Sequence, residues 1–134
     1  MAEHNELGKT GEKEAVKFLQ AKGYTILEIN NVYDKAEVDI IAKTGETLVV
    51  VEVKTRSTPE FGDPQDFVKP AQIKRLVKAV DYYINDKDLD LEVRFDIVAI
   101  IKNKLGKRIE HLEDAFVTNQ YQVSGGCFRN SLGY

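Results

Sequence analysis

Apolar residues recur along two stretches of the chain at the three- and four-residue spacing that is typical of an amphipathic helix. The first stretch predicts a helix from about Thr10 to Lys22, ended by Gly23. Its apolar stripe consists of Ala15, Val16, Phe18 and Leu19. The second stretch predicts a helix that begins at Pro70, because proline suits the first helical turn, and continues through Ile84. Its apolar stripe consists of Ile73, Val77, Val80 and Ile84.

Short segments rich in β-branched residues predict the strands. The densest two read as a hairpin, with strands over Val38–Ala42 and Thr47–Lys54 and a turn that contains Gly45. The other predicted elements are a strand over Tyr24–Ile29, a polar connection over Asn30–Lys35, a strand over Leu91–Ile101 and a short closing element over Ile109–Phe116. The pattern predicts an α/β fold in which helices flank a mixed central β-sheet.

The turn of the hairpin decides which charged residues share a face of the sheet. We predict that Ala42 lies opposite Thr47. Asp39 then faces Val50 and lies diagonal to Glu52, with both carboxylates on one face because side chains alternate along a strand. Diagonal neighbours on a sheet lie roughly 7–8 Å apart, which is close enough for both to reach one ion. A three-residue loop would instead turn Asp39 to the opposite face.

Asp39, Glu52 and Lys54 bring two carboxylates and an ammonium into sequence that otherwise reads as buried. Such crowding is costly unless another interaction offsets the desolvation. Mg²⁺ is typically held by one or two carboxylates with waters and substrate phosphate oxygens. We therefore predict that Asp39 and Glu52 bind Mg²⁺ (or Mn²⁺), and that Lys54 orients the attacking water or offsets charge on a phosphate. The alternative is a simple ion pair between Glu52 and Lys54 on a solvated sheet face.

Three further charged residues are candidates for the same site. Glu12 is on the inward side of the first helix near its start, although a glutamate in a first turn also suits the helix dipole. Glu37 shares a face with Asp39 and is either a residue that supports the metal ligands or a salt-bridged structural acid. Arg56, directly after the hairpin, has the chemistry of a phosphate contact.

The net charge of −3 argues against a nucleic-acid partner, since nucleic-acid-binding domains commonly carry a basic surplus. Basic residues nevertheless cluster in two places, and most such clusters are solvated surface. The two clusters are Lys69, Lys74, Arg75 and Lys78, and Lys102, Lys104, Lys107 and Arg108. From the first of them, Lys74 and Arg75 are predicted nucleic-acid contacts.

Other polar residues are predicted to be structural. Arg94 and Asp96 are neighbours on one face of their strand and form a predicted ion pair. His111 has no second metal-ligand candidate beside it in the sequence, so it is weak evidence for a metal or acid–base site. Cys127 is the single cysteine and cannot form an internal disulfide.

Four short motifs, in this order and spacing, resemble the YraN family of bacterial nuclease-like proteins, which is related to the PD-(D/E)XK nuclease superfamily and to archaeal Holliday junction resolvases. They are Gly11-Glu12, Glu37-Val38-Asp39-Ile40-Ile41-Ala42, Val51-Glu52-Val53-Lys54-Thr55-Arg56 and Arg94-Phe95-Asp96. The resemblance spans about Asn5 to Phe116.

The resemblance implies a restriction-endonuclease-like fold and metal-dependent phosphodiester hydrolysis, with DNA as the expected substrate and branched DNA as one form of it. It implies that the backbone carbonyl of Val53 is a third protein ligand of the metal and that Glu12 supports the metal directly or through water. It also implies that Gln72, in the first turn of the second helix, faces the site. Related resolvases act as symmetric dimers, so a homodimer is one expected arrangement.

Two other function classes stay open at this level. One is a nucleic-acid-binding or accessory module that keeps the nuclease fold without cleavage, and the other is a protein–protein scaffold. The absence of an apolar N-terminal segment and of about 18 consecutive apolar residues leads us to expect a cytoplasmic protein that does not contact a membrane. We expect one nuclease-like domain over residues 1–117, followed by a flexible tail over residues 118–134.

Overall fold

The computed structural model describes residues 2–33, 36–57 and 69–115. These residues form two helices and five strands. In chain order the elements are α1 (Ala2–Ala21), β1 (Thr25–Tyr33), β2 (Ala36–Thr44), β3 (Thr47–Arg56), α2 (Pro70–Lys87), β4 (Glu92–Asn103) and β5 (Gly106–Leu112).

The strands form one mixed sheet in the order β1-β2-β3-β4-β5. Neighbouring strands are antiparallel except for β3 and β4, which are parallel and are joined by the connection that contains α2. Parallel neighbours need such a crossover, because the chain must return to the starting edge of the sheet. The prediction of a mixed sheet flanked by helices is confirmed, and the architecture is consistent with a restriction-endonuclease-like fold.

Each helix covers one face of the sheet with its own apolar cluster. Leu19 and Ala15 of α1 pack on a cluster in which the strand residues are Ile40, Ala42, Val49, Val51, Val98 and Ile100. The opposite cluster combines Leu76, Val77, Val80, Tyr83 and Ile84 of α2 with strand residues such as Leu48, Val50, Phe95 and Ile97. Adjacent residues of β3 and β4 therefore go to opposite clusters, as the period of two requires.

Several predicted boundaries differ from the structure. Helix α1 begins at Ala2, before the apolar stripe that was its sequence signal, and β1 continues through Tyr33 across residues predicted to be a connection. β5 covers Gly106–Leu112, earlier than the predicted closing element. Residues 58–68 and 116–134, which include Cys127 and the predicted tail, lie outside the described residues, so the domain boundary and the flexible tail stay predictions.

The hairpin register also differs from the prediction. The structure pairs Thr44 with Thr47 and Ile40 with Val51, around a two-residue turn at Gly45-Glu46. Gly45 has φ +59, which suits the first turn position of a type II′ hairpin and is disfavoured for residues with a Cβ. The predicted register was therefore wrong by two residues. Because side chains alternate with a period of two, a shift of two residues does not by itself move Asp39 or Glu52 to the other face.

Candidate functional site

The predicted carboxylates meet where β2 separates from β3. The regular pairing of these strands ends at Ile40 and Val51, and the next residues on the two strands are Asp39 and Glu52. Instead of a partner from the β2 backbone, the N–H of Val53 donates a hydrogen bond to Asp39 Oδ2 at 2.8 Å. At this point a side-chain oxygen of Asp39 therefore accepts a hydrogen bond from the β3 backbone, which holds the carboxylate beside β3.

The course of β2 changes at the same position. Val38 belongs to the apolar cluster beneath α2, whereas Ile40 belongs to the cluster beneath α1. Strict alternation would put both side chains on one face, so the strand is irregular around Asp39. Asp39 and Glu52 both line one cavity of about 180 Å³ on the α2 side of the sheet. The remaining residues around this cavity, called the acidic cavity below, are Ala36, Glu37, Gln72, Arg75 and Leu76.

Glu52 is held at the wall of the acidic cavity from two directions. Gln72 Nε2 donates a hydrogen bond to Glu52 Oε2 at 2.8 Å, and Lys54 Nζ lies 3.4 Å from the same oxygen. The Glu52 side chain is 8% exposed and that of Lys54 is 20% exposed. Glu52 Oε1 is buried and has no hydrogen-bond partner within the described part of the chain. A buried carboxylate oxygen without a partner is energetically costly, which indicates an acceptor reserved for a ligand.

Electrostatic repulsion between Asp39 and Glu52 adds to the energetic cost of burying Glu52. Burial, the nearby charge of Glu52 and smaller effects of Glu12 and Glu37 together raise the pKa of Asp39 to about 7, against the opposing hydrogen bond from Val53. Burial also raises the pKa of Glu52, although Lys54 and the Gln72 hydrogen bond oppose that increase. Near neutral pH the two carboxylates therefore compete for a proton, and any cation placed between them would relieve the repulsion.

The donors of the acidic cavity fit a hard divalent cation. Carboxylate oxygens are the ligands that Mg²⁺ and Mn²⁺ prefer, and Glu52 Oε1 supplies one that is already desolvated and unpaired. Across residues 2–33, 36–57 and 69–115, no group of three or more His, Cys, Asp or Glu side chains is arranged to hold a metal. Two carboxylates match the low protein-ligand count of Mg²⁺ sites, in which waters and phosphate oxygens complete the coordination.

Glu12 approaches this region from the other side of the sheet. It is partly exposed on α1 and lines a separate cavity of about 450 Å³, whose other residues are Lys13, Val16, Lys17, Gln20, Ile29 and Asn30. Its effect on the pKa of Asp39 shows that its charge is nevertheless felt at the acidic cavity. The structure thus brings Asp39, Glu52, Lys54 and Gln72 into one contiguous site, with Glu12 at its margin.

The position of Glu12 depends on the preceding glycine. Gly11 is buried in α1, and a Cβ at this position would lie 2.6 Å from Thr55 Oγ1 on β3. A contact that short is sterically forbidden, so the missing side chain allows α1 to approach β3 beside Lys54. This contact explains physically why a glycine stands inside a helix, where it costs about 1 kcal/mol relative to alanine.

The predicted basic contacts are divided between the cavity and the surface. Arg75 lines the acidic cavity, whereas Lys74, the preceding residue of α2, is exposed and does not line it. Arg56 is exposed at the end of β3, where its guanidinium donates to the Thr55 carbonyl at 2.9 Å. Glu37 is exposed at the rim of the cavity. These positions allow contacts with a ligand that extends beyond the cavity.

A buried polar network on the α1 face was missed by the sequence analysis. Asp96 is fully buried and accepts two hydrogen bonds from Arg94, at 2.9 and 2.8 Å, which confirms the predicted pair. Asp96 also contacts His111 Nε2 at 2.7 Å and the Asp114 N–H at 2.9 Å. Lys22 Nζ lies 2.7 Å from His111 Nδ1. An ammonium can only donate, so Nδ1 accepts and the proton of the neutral imidazole is on Nε2, toward Asp96.

The network is structural and separate from the acidic cavity. Burial would raise the pKa of Asp96, but the hydrogen bonds from His111, Arg94 and the Asp114 backbone outweigh it and hold the pKa below its usual value. The His111 side chain is only 3% exposed, which suits a role in packing and hydrogen bonding. The pairing of Val98 with His111 is what brings His111 close to Asp96. A hairpin turn placed at Lys104-Leu105 would have predicted the pairing of Val98 with His111 from the sequence, but not the hydrogen bond to Asp96.

Comparisons with known proteins point to one family. A family model described as "Uncharacterised protein family UPF0102" matches residues 11–100, from Gly11 in α1 to Ile100 in β4. A UPF0102 protein from Christiangramia forsetii is 69% identical over 116 residues, which cover 87% of this chain and 98% of the relative. The UPF0102 protein FP2501 from Flavobacterium psychrophilum is 62% identical with the same coverage. A UPF0102 protein from Phocaeicola vulgatus is 46% identical and covers 87% of this chain and 96% of its own length.

A helix that spans a bilayer needs a long and continuously apolar stretch. Neither α1 nor α2 contains a stretch that is long and apolar enough to span a membrane.

Proposed function

This chain belongs to the uncharacterised protein family UPF0102, and we propose that it is a metal-dependent endonuclease that hydrolyses phosphodiester bonds in nucleic acid, with DNA as its substrate. The single observation that carries the proposal is the unpartnered, buried Oε1 of Glu52, a residue that lines the acidic cavity together with Asp39. The resemblance of the Asp39 and Glu52-Val53-Lys54 motifs to the PD-(D/E)XK nucleases supports the same reaction.

Asp39 and Glu52 would hold Mg²⁺ or Mn²⁺, with the Val53 carbonyl as a third protein ligand. The ion would supply Lewis acidity and a water of lowered pKa for attack on the phosphate. The hydrogen bond between Val53 N–H and Asp39 Oδ2 fixes one carboxylate relative to the β3 backbone. That bond leaves the second oxygen of Asp39 as the atom available to a cation.

Lys54 and Gln72 would prepare the site for substrate. In the structure Lys54 Nζ is 3.4 Å from Glu52 Oε2, and it carries a positive charge at the edge of a partly solvated cavity. An ammonium in this position offsets charge on a phosphate oxygen or orients a water through one of its three donors. Gln72 holds Glu52 Oε2 from α2, which directs Oε1 away from it. Arg75 would contact a flanking phosphate.

A cleavage assay with matched variants tests the proposal. The wild-type chain should cleave labelled DNA in Mg²⁺ or Mn²⁺ and not in EDTA. Glu52→Gln should abolish cleavage, and Lys54→Ala should lower kcat by about 10²–10⁴-fold, the usual range for a positioned catalytic group. Glu46→Gln and Lys43→Ala provide controls, because they make the same chemical changes at the other end of this hairpin.

Metal binding gives a second readout that does not depend on knowing the substrate. Titration of Mn²⁺ should give a saturable signal with the wild-type chain and with Lys54→Ala, but not with Glu52→Gln. Failure of the wild-type chain to bind either ion would refute the proposal. DNA binding that survives Glu52→Gln, with no cleavage by the wild-type chain in either metal, would instead assign a non-catalytic binding module, which the net charge of −3 does not favour.

A further inference from the structure

The turn between β4 and β5 presents an apolar side chain to solvent. Leu105 is 97% exposed at the second position of a two-residue turn. One hydrogen bond defines the turn, since the Leu105 N–H donates to Asn103 Oδ1 at 2.9 Å. The residue that follows the turn, Gly106, has φ +136, which favours glycine. A single exposed leucine is common on protein surfaces, so its significance depends on its surroundings.

Those surroundings are strongly basic. The segment Lys102–Arg108 contains four basic residues and no acidic one, in a chain whose net charge is −3. Lys107 forms an ion pair with Glu14 at 2.5 Å and Arg108 forms one with Glu110 at 3.0 Å. Lys102 and Lys104 are exposed and form no ion pair within the described part of the chain. Lys104, which adjoins Leu105 in the turn, and Lys102, near the end of β4, therefore have their charge available for a polyanion.

The position of this basic hairpin tip is fixed relative to the acidic cavity. β3 and β4 are parallel, with Lys54 beside Ala99 and Arg56 beside Ile101, so the tip lies beyond the same end of the sheet as Lys54. Asn103 Nδ2 also donates to the Ser57 carbonyl at 2.9 Å, which ties the hairpin to the end of β3. A strand rises about 3.3 Å per residue, which puts Leu105 roughly 15–20 Å from Lys54.

A shallow cavity lies beside Leu105 at the hairpin tip. Leu105, Lys107 and Arg108 line a shallow cavity of about 230 Å³ with Ile101, Asn103 and Gly106. Proteins that distort DNA commonly insert an apolar side chain between base steps, while basic residues contact the phosphates on either side. An exposed leucine, flanking lysines and an adjacent concavity together have the chemistry required for an unstacked nucleotide.

We propose that the basic hairpin tip is a second DNA-binding site that recognises duplex DNA interrupted by an unpaired nucleotide. Leu105 packs against the exposed base, and Lys102 and Lys104 contact the neighbouring phosphates. This inference rests on the proposed function, because it extends the substrate of the acidic cavity to a discontinuity in the duplex. The separation between the two sites corresponds to about five nucleotides at 3.4 Å per phosphate along one strand.

Binding measured without divalent metal separates this proposal from the cleavage reaction. The probes are a fluorescent DNA duplex with one bulged nucleotide and the fully paired duplex of the same sequence, at salt concentrations from about 50 to 200 mM. The wild-type chain should bind the bulged duplex about tenfold more tightly. Lys102→Ser with Lys104→Ser should reduce the slope of log K against log salt by about two, because two phosphate contacts are lost.

Leu105→Ser should remove the preference for the bulged duplex and leave the salt slope unchanged, because only the apolar contact is lost. Val32→Ser is the matched control for the leucine, since Val32 is 64% exposed on the edge strand β1. Lys43→Ser with Lys87→Ser is the control for charge. All substituted positions lie at the surface or edge of the sheet, and thermal unfolding of each variant verifies the fold.

The outcomes distinguish the two proposals. Equal affinity of the wild-type chain for both duplexes, no DNA binding at all, or wild-type behaviour of the Leu105 and lysine variants would each overturn the hairpin proposal. Equal affinity for both duplexes and wild-type behaviour of the variants leave metal binding and cleavage at the acidic cavity unaffected, whereas no DNA binding at all would count against both proposals. Conversely, a chain that prefers the bulged duplex through the hairpin but cleaves no DNA would leave the hairpin site intact and refute the nuclease.

Discussion

Replacing Asp39 with asparagine should stabilise the metal-free protein at pH 8, although it removes a proposed metal ligand. Asp39 is partly buried beside Glu52, and the pKa of its carboxyl is raised from an ordinary 3.8 to about 7. Asparagine is similar in shape, is uncharged, and keeps an oxygen that can accept the Val53 N–H. The substitution therefore removes the repulsion while preserving the local hydrogen bond.

The magnitude follows from the raised pKa. One pH unit corresponds to about 1.4 kcal/mol, so ionising Asp39 costs on the order of 4 kcal/mol more in the folded chain than in the unfolded chain. Solvent in the cavity screens part of the repulsion, and a neutral amide accepts a weaker hydrogen bond than a carboxylate. We therefore expect a net stabilisation of about 2 kcal/mol at pH 8.

The pH dependence identifies the cause. The unfolded chain releases the Asp39 proton near pH 4, whereas the folded chain retains it until about pH 7. Between these values the folded state binds more protons, so this residue makes the wild-type chain less stable as the pH rises. The advantage of Asp39→Asn should therefore be small near pH 4, increase up to about pH 7 and then stay constant.

Urea unfolding at a series of pH values, with and without Mg²⁺ or Mn²⁺, measures both effects. Metal should stabilise the wild-type chain, by about 2.7 kcal/mol at one hundred times its Kd, and should not stabilise Asp39→Asn. Glu46→Gln is the control, because it neutralises an exposed acid in the hairpin turn. A variant advantage that does not change with pH, or a variant less stable than wild type at pH 8, would refute the repulsion between Asp39 and Glu52.

Three further predictions concern the surroundings of the site. Gly11→Ala should lower stability by about 1 kcal/mol, because its Cβ would overlap Thr55 Oγ1, and Thr55→Ala should rescue it in thermal unfolding of the double variant. His111→Phe should cost about 1–3 kcal/mol in urea unfolding, because Asp96 loses a buried hydrogen bond, and Mn²⁺ affinity measured by titration should not change. Mn²⁺ affinity of the wild-type chain should increase with pH up to about 7 and level off above it, because the cation competes with the proton on Asp39; an affinity that is constant from pH 5 to 8 would contradict this.

The sequence was sufficient for the two helices, the strand segments and the shared face of Asp39 and Glu52 in the central hairpin. Helix α2 begins at Pro70 as predicted, and its apolar stripe packs on the sheet. The hairpin register was two residues from the prediction, yet Asp39 and Glu52 share the acidic cavity. The reason is that local periodicity determines the face of a residue, whereas its exact partner depends on the backbone of the turn.

The ends of strands that lack a local sequence signal were harder to predict. β1 continues through Asn30 and Asn31, residues that suit turns, because pairing with β2 stabilises an extended backbone there. Asn30 itself is an exception, because it has φ +56, a left-handed and not an extended conformation, and its neighbours Ile29 and Asn31 carry the pairing. Tertiary pairing thus overrode the local preference of these residues.

Contacts between distant segments were decided only by the tertiary structure. The hydrogen bond from Gln72 to Glu52 and the contact of His111 with Asp96 each need a particular approach of two packed elements, which no local pattern encodes. The same holds for the partnerless oxygen of Glu52, because desolvation depends on every neighbour around it. The sequence by itself determined the elements, their faces and the chemistry available on them. The packing of α1 and α2 on the sheet decided which of those groups meet, because burial and distance are properties of the folded chain as a whole.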